Sequence, residues 1–313
     1  MKVPPDSELA QLEGDFLLPK RNIFSRLGHI PNAGFAWLVV LPAIVGLAAF
    51  SIVPMATGLW KSLQEPGIGG GIGLLYYEEM INDPVFRIAL RNNLFFAAVI
   101  VPVSLALGMF MAVLVNRRFR GRSLVRLAFF TPAMLPTVGA AAIWLFMYQP
   151  DFGVINALLE TLGFQRLNLL GQPNTVLPAL MVVMVWKEAG FFMLLYLAAL
   201  QSIPEDLNEA AELEGAGEWY RFRRVTFPLL MPMSLFTSIV AIANSFKHID
   251  FLFIMTNGGP VNASNLLLYH IWEAGFVHRR PEYANAVTVV LVSILVLLAV
   301  VQIRALDRRI HYR

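Results

Sequence analysis

The sequence predicts an all-α integral membrane protein with six transmembrane helices, and three observations carry that prediction. Apolar residues make up 57% of the 313-residue chain and charged residues 14%, against about 25% charged in soluble domains. Predominantly apolar segments near 35–60, 90–115, 124–148, 176–200, 226–255 and 284–304 are each long enough to cross about 30 Å of hydrocarbon at about 1.5 Å per residue. Lys and Arg also divide unevenly between the two sets of connecting segments, as the positive-inside rule requires of a multi-pass protein.

The first 34 residues mix Asp6, Glu8, Glu13 and Asp15 with basic residues and lack an apolar core before a small-residue cleavage site. They read as a cytoplasmic tail, not a secretory signal. Residues 35–313 form the transmembrane domain. After the first span come Gly67, Gly69, Gly70, Gly71 and Gly73. A phosphate-binding loop needs Gly-Lys-Ser/Thr at a strand-to-helix turn, and the dipeptide Gly-Lys occurs nowhere, so these glycines read as a flexible external loop. Pro102 lies within the second span and Pro132 and Pro136 within the third. Proline removes a backbone donor and bends a helix where a neighbour or a cavity satisfies the freed carbonyl. Thr131 to Thr137 is therefore a segment of expected flexing or fixed kinking.

The fourth span carries Lys187 and Glu188 near its middle, and the fifth carries Lys247 and Asp250 in its outer half. Charges at such depth are costly and normally face a cavity or a partner. Spacing of three puts Lys247 and Asp250 on one helical face. They either line a polar path or pair structurally, Lys247 with Asp250 and Lys187 with Glu188 or another acid. Asn257-Gly258-Gly259-Pro260 favours a turn at the outer end of the fifth span.

Between the fourth and fifth spans, residues 201–228 form a polar, helix-prone loop. Ser202 can cap a helix with Pro204 and Glu205 in its first turn, and Gly215 breaks that helix. A second amphipathic run from Glu218 to Val225 carries Arg221, Arg223 and Arg224 before Pro228 and Pro232 open the next span. Two short helices meeting at a glycine make a knuckle that fits a groove on another protein.

Sixteen basic residues lie on the side of the termini and this loop: Lys2, Lys20, Arg21, Arg26, Arg117, Arg118, Arg120, Arg122, Arg126, Arg221, Arg223, Arg224, Arg304, Arg308, Arg309 and Arg313. Six lie opposite: Lys61, Arg87, Arg91, Arg166, Arg279 and Arg280. The termini and the loop are thus expected in the cytoplasm. The net charge of +3 reflects orientation rather than nucleic-acid binding, because the basic residues flank spans instead of forming one patch. With no cysteine and five dispersed histidines, thiol chemistry, disulfides and Cys-ligated metals are excluded and a metal site is not expected.

Glu209-Ala210-Ala211, then Glu214-Gly215-Ala216, followed by Phe222, Val225 and Phe227-Pro228, resembles the coupling loop of permease subunits in binding-protein-dependent ABC importers. Trp186-Lys187, the run from Ala199 to Pro204 and Thr256 to Pro260 resemble the carbohydrate-importer branch, and Tyr269 with Gly275-Phe276 its glycerol-3-phosphate members. The similarity spans residues 35 to 310. It implies the type I importer permease (MetI-like) fold in a bacterial or archaeal cytoplasmic membrane. It also implies a second homologous permease, an ABC ATPase dimer and an extracytoplasmic binding protein as partners, the last meeting the polar stretch up to Pro281. No cofactor is expected on this chain, since ATP and magnesium belong to the ATPase. Glu209, Ala210, Ala211, Glu214, Gly215 and Ala216 are the implied ATPase-coupling residues.

In maltose-importing members the sugar site falls at positions corresponding to Ala133, Thr137, Met184, Lys187, Glu188, Phe191, Phe246 and Lys247. Charged Lys187, Glu188 and Lys247, standing where those members have neutral or aromatic groups, favour a more polar or charged ligand than maltose. Trp186, Phe191 and Phe246 are candidates to stack on a sugar face. The implied function is import of a sugar or polyol derivative, or of an anionic ligand such as glycerol-3-phosphate. An ion-coupled secondary transporter using Lys187, Glu188 and Asp250 is the remote alternative.

Overall fold

The structure is a computed structural model that describes residues 33–65, 71–117 and 119–307. Most of the expected N-terminal tail, and Gly67, Gly69 and Gly70, lie outside the described residues. The chain divides into two units, Met1–Thr57 and Gly58–Arg313. Helix Ala33–Leu47 and a wider π turn, Ala48–Ile52, belong to the first, and the helix Val53–Ser62 that continues them begins there. The spanning part of this helix, Trp37–Ser62, is α1. None of its side chains from 37 to 57 is buried, which suits an apolar helix solvated by lipid.

The second unit opens with α2 (Leu75–Asn82) and α3 (Pro84–Asn116). Asp83 caps α3, accepting a hydrogen bond from the Val85 N–H at 2.8 Å, with Pro84 just inside. Proline fits there because its missing N–H would have had no partner within the helix. The same start signal opens α7 (Pro173–Ser202) and α13 (Pro281–Asp307). Between α3 and α7 lie α4 (Arg122–Met134), α5 (Thr137–Met147) and α6 (Val154–Thr161). After α7 come α8 (Glu205–Leu213) and α9 (Glu218–Arg221), which form the knuckle. Then follow α10 (Met231–Lys247), α11 (Asp250–Met255) and α12 (Leu267–Trp272), ahead of α13.

Five described helical segments, beginning at residues 37, 84, 173, 231 and 281, are long and apolar enough to cross a membrane. The third expected span, 124–148, is not one kinked helix: α4 and α5 meet at a bend of 100°. Leu135 is extended (φ −68°, ψ 139°), because a residue that precedes proline is driven from the helical region. Pro136 then begins a new helical direction without an N–H to continue the old one.

Helix α7 is the axis of this unit. It contributes to two of the three buried clusters, through Leu180 and Met184 in one and Phe192, Met193 and Tyr196 in the other. Two glycines let backbones approach it. A Cβ on Gly190 would lie 2.1 Å from the Phe129 carbonyl oxygen of α4, and one on Gly108 of α3 would lie 2.8 Å from Phe192 Cβ. Without a hydrophobic driving force between helices in lipid, such close approach supplies the dispersion contact that holds them together.

At the end of the bundle away from the knuckle, adjacent asparagines of α3 hold the loop after α11. Asn92 donates from its amide to the carbonyls of Asn262, Ala263 and Asn265, each at 3.1 Å. Asn93 accepts from the Leu267 N–H at 3.2 Å. Irregular backbone at that depth leaves carbonyls and N–H groups that only side chains or water can satisfy; Asn92 satisfies the carbonyls and Asn93 an N–H.

Candidate functional site

Two interruptions of helix converge on α7. At the first, the Leu135 carbonyl has lost its helical partner and accepts from Lys187 Nζ at 2.6 Å. At the second, α10 ends at Lys247, His248 is extended (φ −72°, ψ 112°), and its ring reaches Glu188, Nε2 to Oε1, at 2.5 Å. Glu188 is buried, and its other oxygen, Oε2, has no hydrogen-bond partner among the described residues. Two neighbouring residues of α7 thus bind the two interruptions from different faces of the helix. Adjacent helical positions point about 100° apart, which allows one helix to do this. The cluster offers donors, an unpaired carboxylate oxygen and charged groups at mid-span depth, suited to hydroxyl-bearing or ionic solutes.

Of the eight positions matched to a sugar site, Ala133 and Thr137 flank the α4–α5 bend, half-buried, beside the carbonyl that Lys187 engages. Glu188 joins the same cluster through His248, next to Lys247, which is exposed. Met184 and Phe246 are packed in two different buried clusters. Phe191 is exposed and sets its ring edge-on to Phe192, 5.5 Å between centroids. Trp186 packs edge-on against Trp144 at 5.6 Å.

The expected Lys247–Asp250 face does not form: the helix is interrupted at His248 and Ile249, so spacing of three no longer aligns the two, and no ion pair joins them among the described residues. Lys187 likewise binds a carbonyl rather than Glu188. Sequence reasoning passed over His248, whose lone position on an apolar segment gave no sign that the helix would break there.

The knuckle follows from local chemistry. Gly215 has φ +83°, the Gly215 N–H donates to the Glu212 carbonyl at 2.9 Å, and the Ala216 N–H to the Ala211 carbonyl at 3.0 Å. These two bonds form a Schellman motif, which satisfies orphan carbonyls and requires a left-handed residue that glycine supplies without strain. Ala211 and Ala216 stand at the two positions the motif brings together, and both are half-buried; Glu209, Ala210, Glu214 and Gly215 are exposed. Ser202 does not cap α8. Its hydroxyl donates back to the Ala199 carbonyl at 2.8 Å, and Pro204 occupies the cap position.

Arg221 pairs with Glu212 across the glycine, and Arg117 at the end of α3 pairs with Glu218 at 2.7 Å. Leu213 is 90% exposed and Trp219 73%. An apolar groove of about 810 Å³ between α3, α7 and α9 adjoins them, lined by Met109, Phe110, Val113, Trp219 and Phe222. Among the described residues no group of three His, Asp or Glu is arranged to hold a metal ion.

Residues 104–312 match the family model of the binding-protein-dependent transport system inner membrane component. The chain is 32% identical over 294 residues to the sn-glycerol-3-phosphate transport system permease protein UgpA of Yersinia pestis bv. Antiqua, covering 90% of this chain and 98% of that protein. It is 31% identical over 265 residues to the trehalose/maltose transport system permease protein MalF of Thermococcus litoralis, covering 81% and 88%. A solved bacterial alginate ABC transporter, in complex with an alginate pentasaccharide-bound periplasmic protein, contains a chain of the same fold at 20% identity and TM-score 0.81, covering 92% of this chain and 98% of that one. The architecture is that of ABC importer permeases, and the chain belongs to the family of binding-protein-dependent transport system inner membrane components.

Proposed function

We propose that this chain is the membrane-spanning permease subunit of an ABC importer that moves a sugar or polyol derivative, delivered by an extracytoplasmic binding protein, across the cytoplasmic membrane. The observation that carries the reading is the knuckle: a Schellman-closed helix pair with exposed Leu213 and Trp219, attached to spans whose polar cluster sits at mid-depth. Energy comes from ATP hydrolysis in a partner ATPase dimer docked on Glu209, Ala210, Ala211, Glu214, Gly215 and Ala216, and ATP with its magnesium stays on that partner. The basic asymmetry of the connecting segments puts the knuckle and both termini in the cytoplasm. A second, homologous permease completes the path.

Solute passes along Lys187, Glu188 and Lys247, with Ala133, Thr137 and Phe191 beside them. The bends at 134–137 and 247–250 are positions where a bundle can rock between inward- and outward-open states while the Leu135 carbonyl and His248 keep their contacts with Lys187 and Glu188 of α7. A second substrate reading, an anionic ligand such as sn-glycerol 3-phosphate, is favoured by two lysines against one acid at those positions and by the similarity to UgpA. The test is uptake by vesicles containing the assembled complex and its binding protein. ATP-dependent accumulation, insensitive to collapse of ion gradients, is expected. Uptake that follows an ion gradient without ATP would overturn the reading in favour of a secondary transporter. Competition between neutral polyols and glycerol 3-phosphate separates the two substrate classes.

A further inference from the structure

Away from the mid-span path, at the end of the bundle opposite the knuckle, three elements meet around one buried imidazole. Asp83 Oδ1 caps α3, and its Oδ2 accepts from the Tyr283 hydroxyl of α13 at 2.6 Å. The Tyr283 oxygen lies 3.3 Å from His270 Nε2 of α12, and Asp83 Oδ2 lies 3.7 Å from the same nitrogen. Since Tyr283 spends its proton on Asp83, the Tyr–His contact requires Nε2 to carry hydrogen and donate. That assigns neutral His270 the tautomer with a bare Nδ1, which is buried and has no hydrogen-bond partner among the described residues. The Phe86 ring flanks the imidazole at 6.4 Å. A cavity of about 220 Å³ lined by Asn262, Glu273, His278 and Arg280 adjoins it.

We propose that the Asp83–Tyr283–His270 chain is a proton-sensitive latch, closed while His270 is neutral and released when it is protonated. Protonation puts a hydrogen on Nδ1, and a buried charged donor without an acceptor is far costlier than a bare acceptor. The added positive charge also competes with Tyr283 for Asp83, 3.7 Å away. Both demands are met only if α12 shifts, admitting water through the cavity or turning Nδ1 toward Glu273, three residues on along the helical segment. The segment so released includes the π turn Glu273–Val277, where Phe276 is 78% and Val277 53% exposed.

The groups facing His270 are known from each packed element. Asp83 on α3 and Glu273 on its own segment favour the charged ring, whereas His278 opposes it. Glu79 of α2 is taken by Arg280 at 2.6 Å, and Arg280 lies over the Tyr283 ring. Burial outweighs the two carboxylates and pushes the imidazole below its ordinary 6.5. The latch is therefore closed near neutral pH and opens in acid below that value. Under the proposed function this end faces the outside, and release would weaken docking of the binding protein there. That consequence rests on the functional reading; the latch itself does not.

Amide hydrogen exchange of the purified full-length chain in detergent tests it without substrate or partner. After correction for intrinsic rates, residues 262–278 are expected to exchange about tenfold faster at about pH 5 than at about pH 7.5. H270Q, whose amide still donates to Tyr283 but cannot be protonated, is expected to lose that response, and H278Q to keep it. An unchanged wild-type segment, or an acid response retained in H270Q, overturns the proposal. If H270Q does not fold, the histidine ring titration seen by NMR in the wild type still decides: His270 titrating at or above 6.5 rejects the latch, and titration below it together with the exchange response supports it.

Discussion

The knuckle and the mid-span cluster solve opposite physical problems. At the knuckle nearly every side chain is exposed, and the shape is closed by two backbone bonds around a left-handed glycine within six residues of sequence. At the cluster Glu188 is buried, and the partners come from sequence positions 52 and 60 residues away, the Leu135 carbonyl for Lys187 and His248 for Glu188. The first is a local pattern that any sufficiently polar setting would support. The second exists only because two spans break where they do. The surface proposed for docking is thus specified locally, whereas the proposed polar path depends on long-range agreement among helices.

That contrast fails if the cluster tolerates change as the knuckle does. The largest effect is expected at Gly190, which sets how closely α4 approaches α7. G190V drives carbon into the Phe129 carbonyl, so loss of folded protein from the membrane is expected, at a cost of about 3 kcal/mol or more. Size-exclusion profiles and membrane yield measure it; a wild-type profile would show that α4 does not seat on α7 in this register.

The next effect concerns the buried pair. E188L or H248L alone strands a charged or polar partner, which costs about 3–5 kcal/mol. The double variant removes both and is expected to regain much of the lost thermal stability. Equal, additive losses would mean that the two residues do not act as a pair. K187M strands only the Leu135 carbonyl and costs about 1–3 kcal/mol.

These two regions also explain what could be read from the amino-acid order. Apolar runs located five of the spans to within a few residues, because burial in lipid needs only length and hydropathy. Pro132 and Pro136 announced trouble in the third, but not its size: a 100° bend depends on what α7 offers to the freed carbonyl. The break at His248 carries no proline or glycine, so Lys247 and Asp250 looked like neighbours on one face. Gly215 and its alanines were legible because a Schellman turn is a property of six consecutive residues. Asn92 and Asn93, two adjacent amides at the start of a long apolar run, were the signal for the far-end loop that sequence reasoning passed over.

Smaller effects belong to the knuckle. G215A forces a Cβ into the left-handed region and costs about 1 kcal/mol, with no clash, since nothing lies within 4 Å of that position. R117A removes an exposed ion pair and changes stability by at most about 1 kcal/mol. Larger losses from either would mean that the knuckle is part of the scaffold rather than a surface presented to a partner.

The claim that the knuckle couples this chain to an ATPase is tested most directly by G215R and E209K in the intact complex. Gly215 and Glu209 are exposed and contribute nothing to the buried clusters, so E209K should insert and fold as wild type and G215R should do so at a cost of only about 1 kcal/mol for its left-handed backbone. Co-purification of the ATPase with the permease, measured beside ATP-driven uptake at equal membrane levels, is predicted to fall together in both. Normal association with normal uptake in both variants would contradict the account.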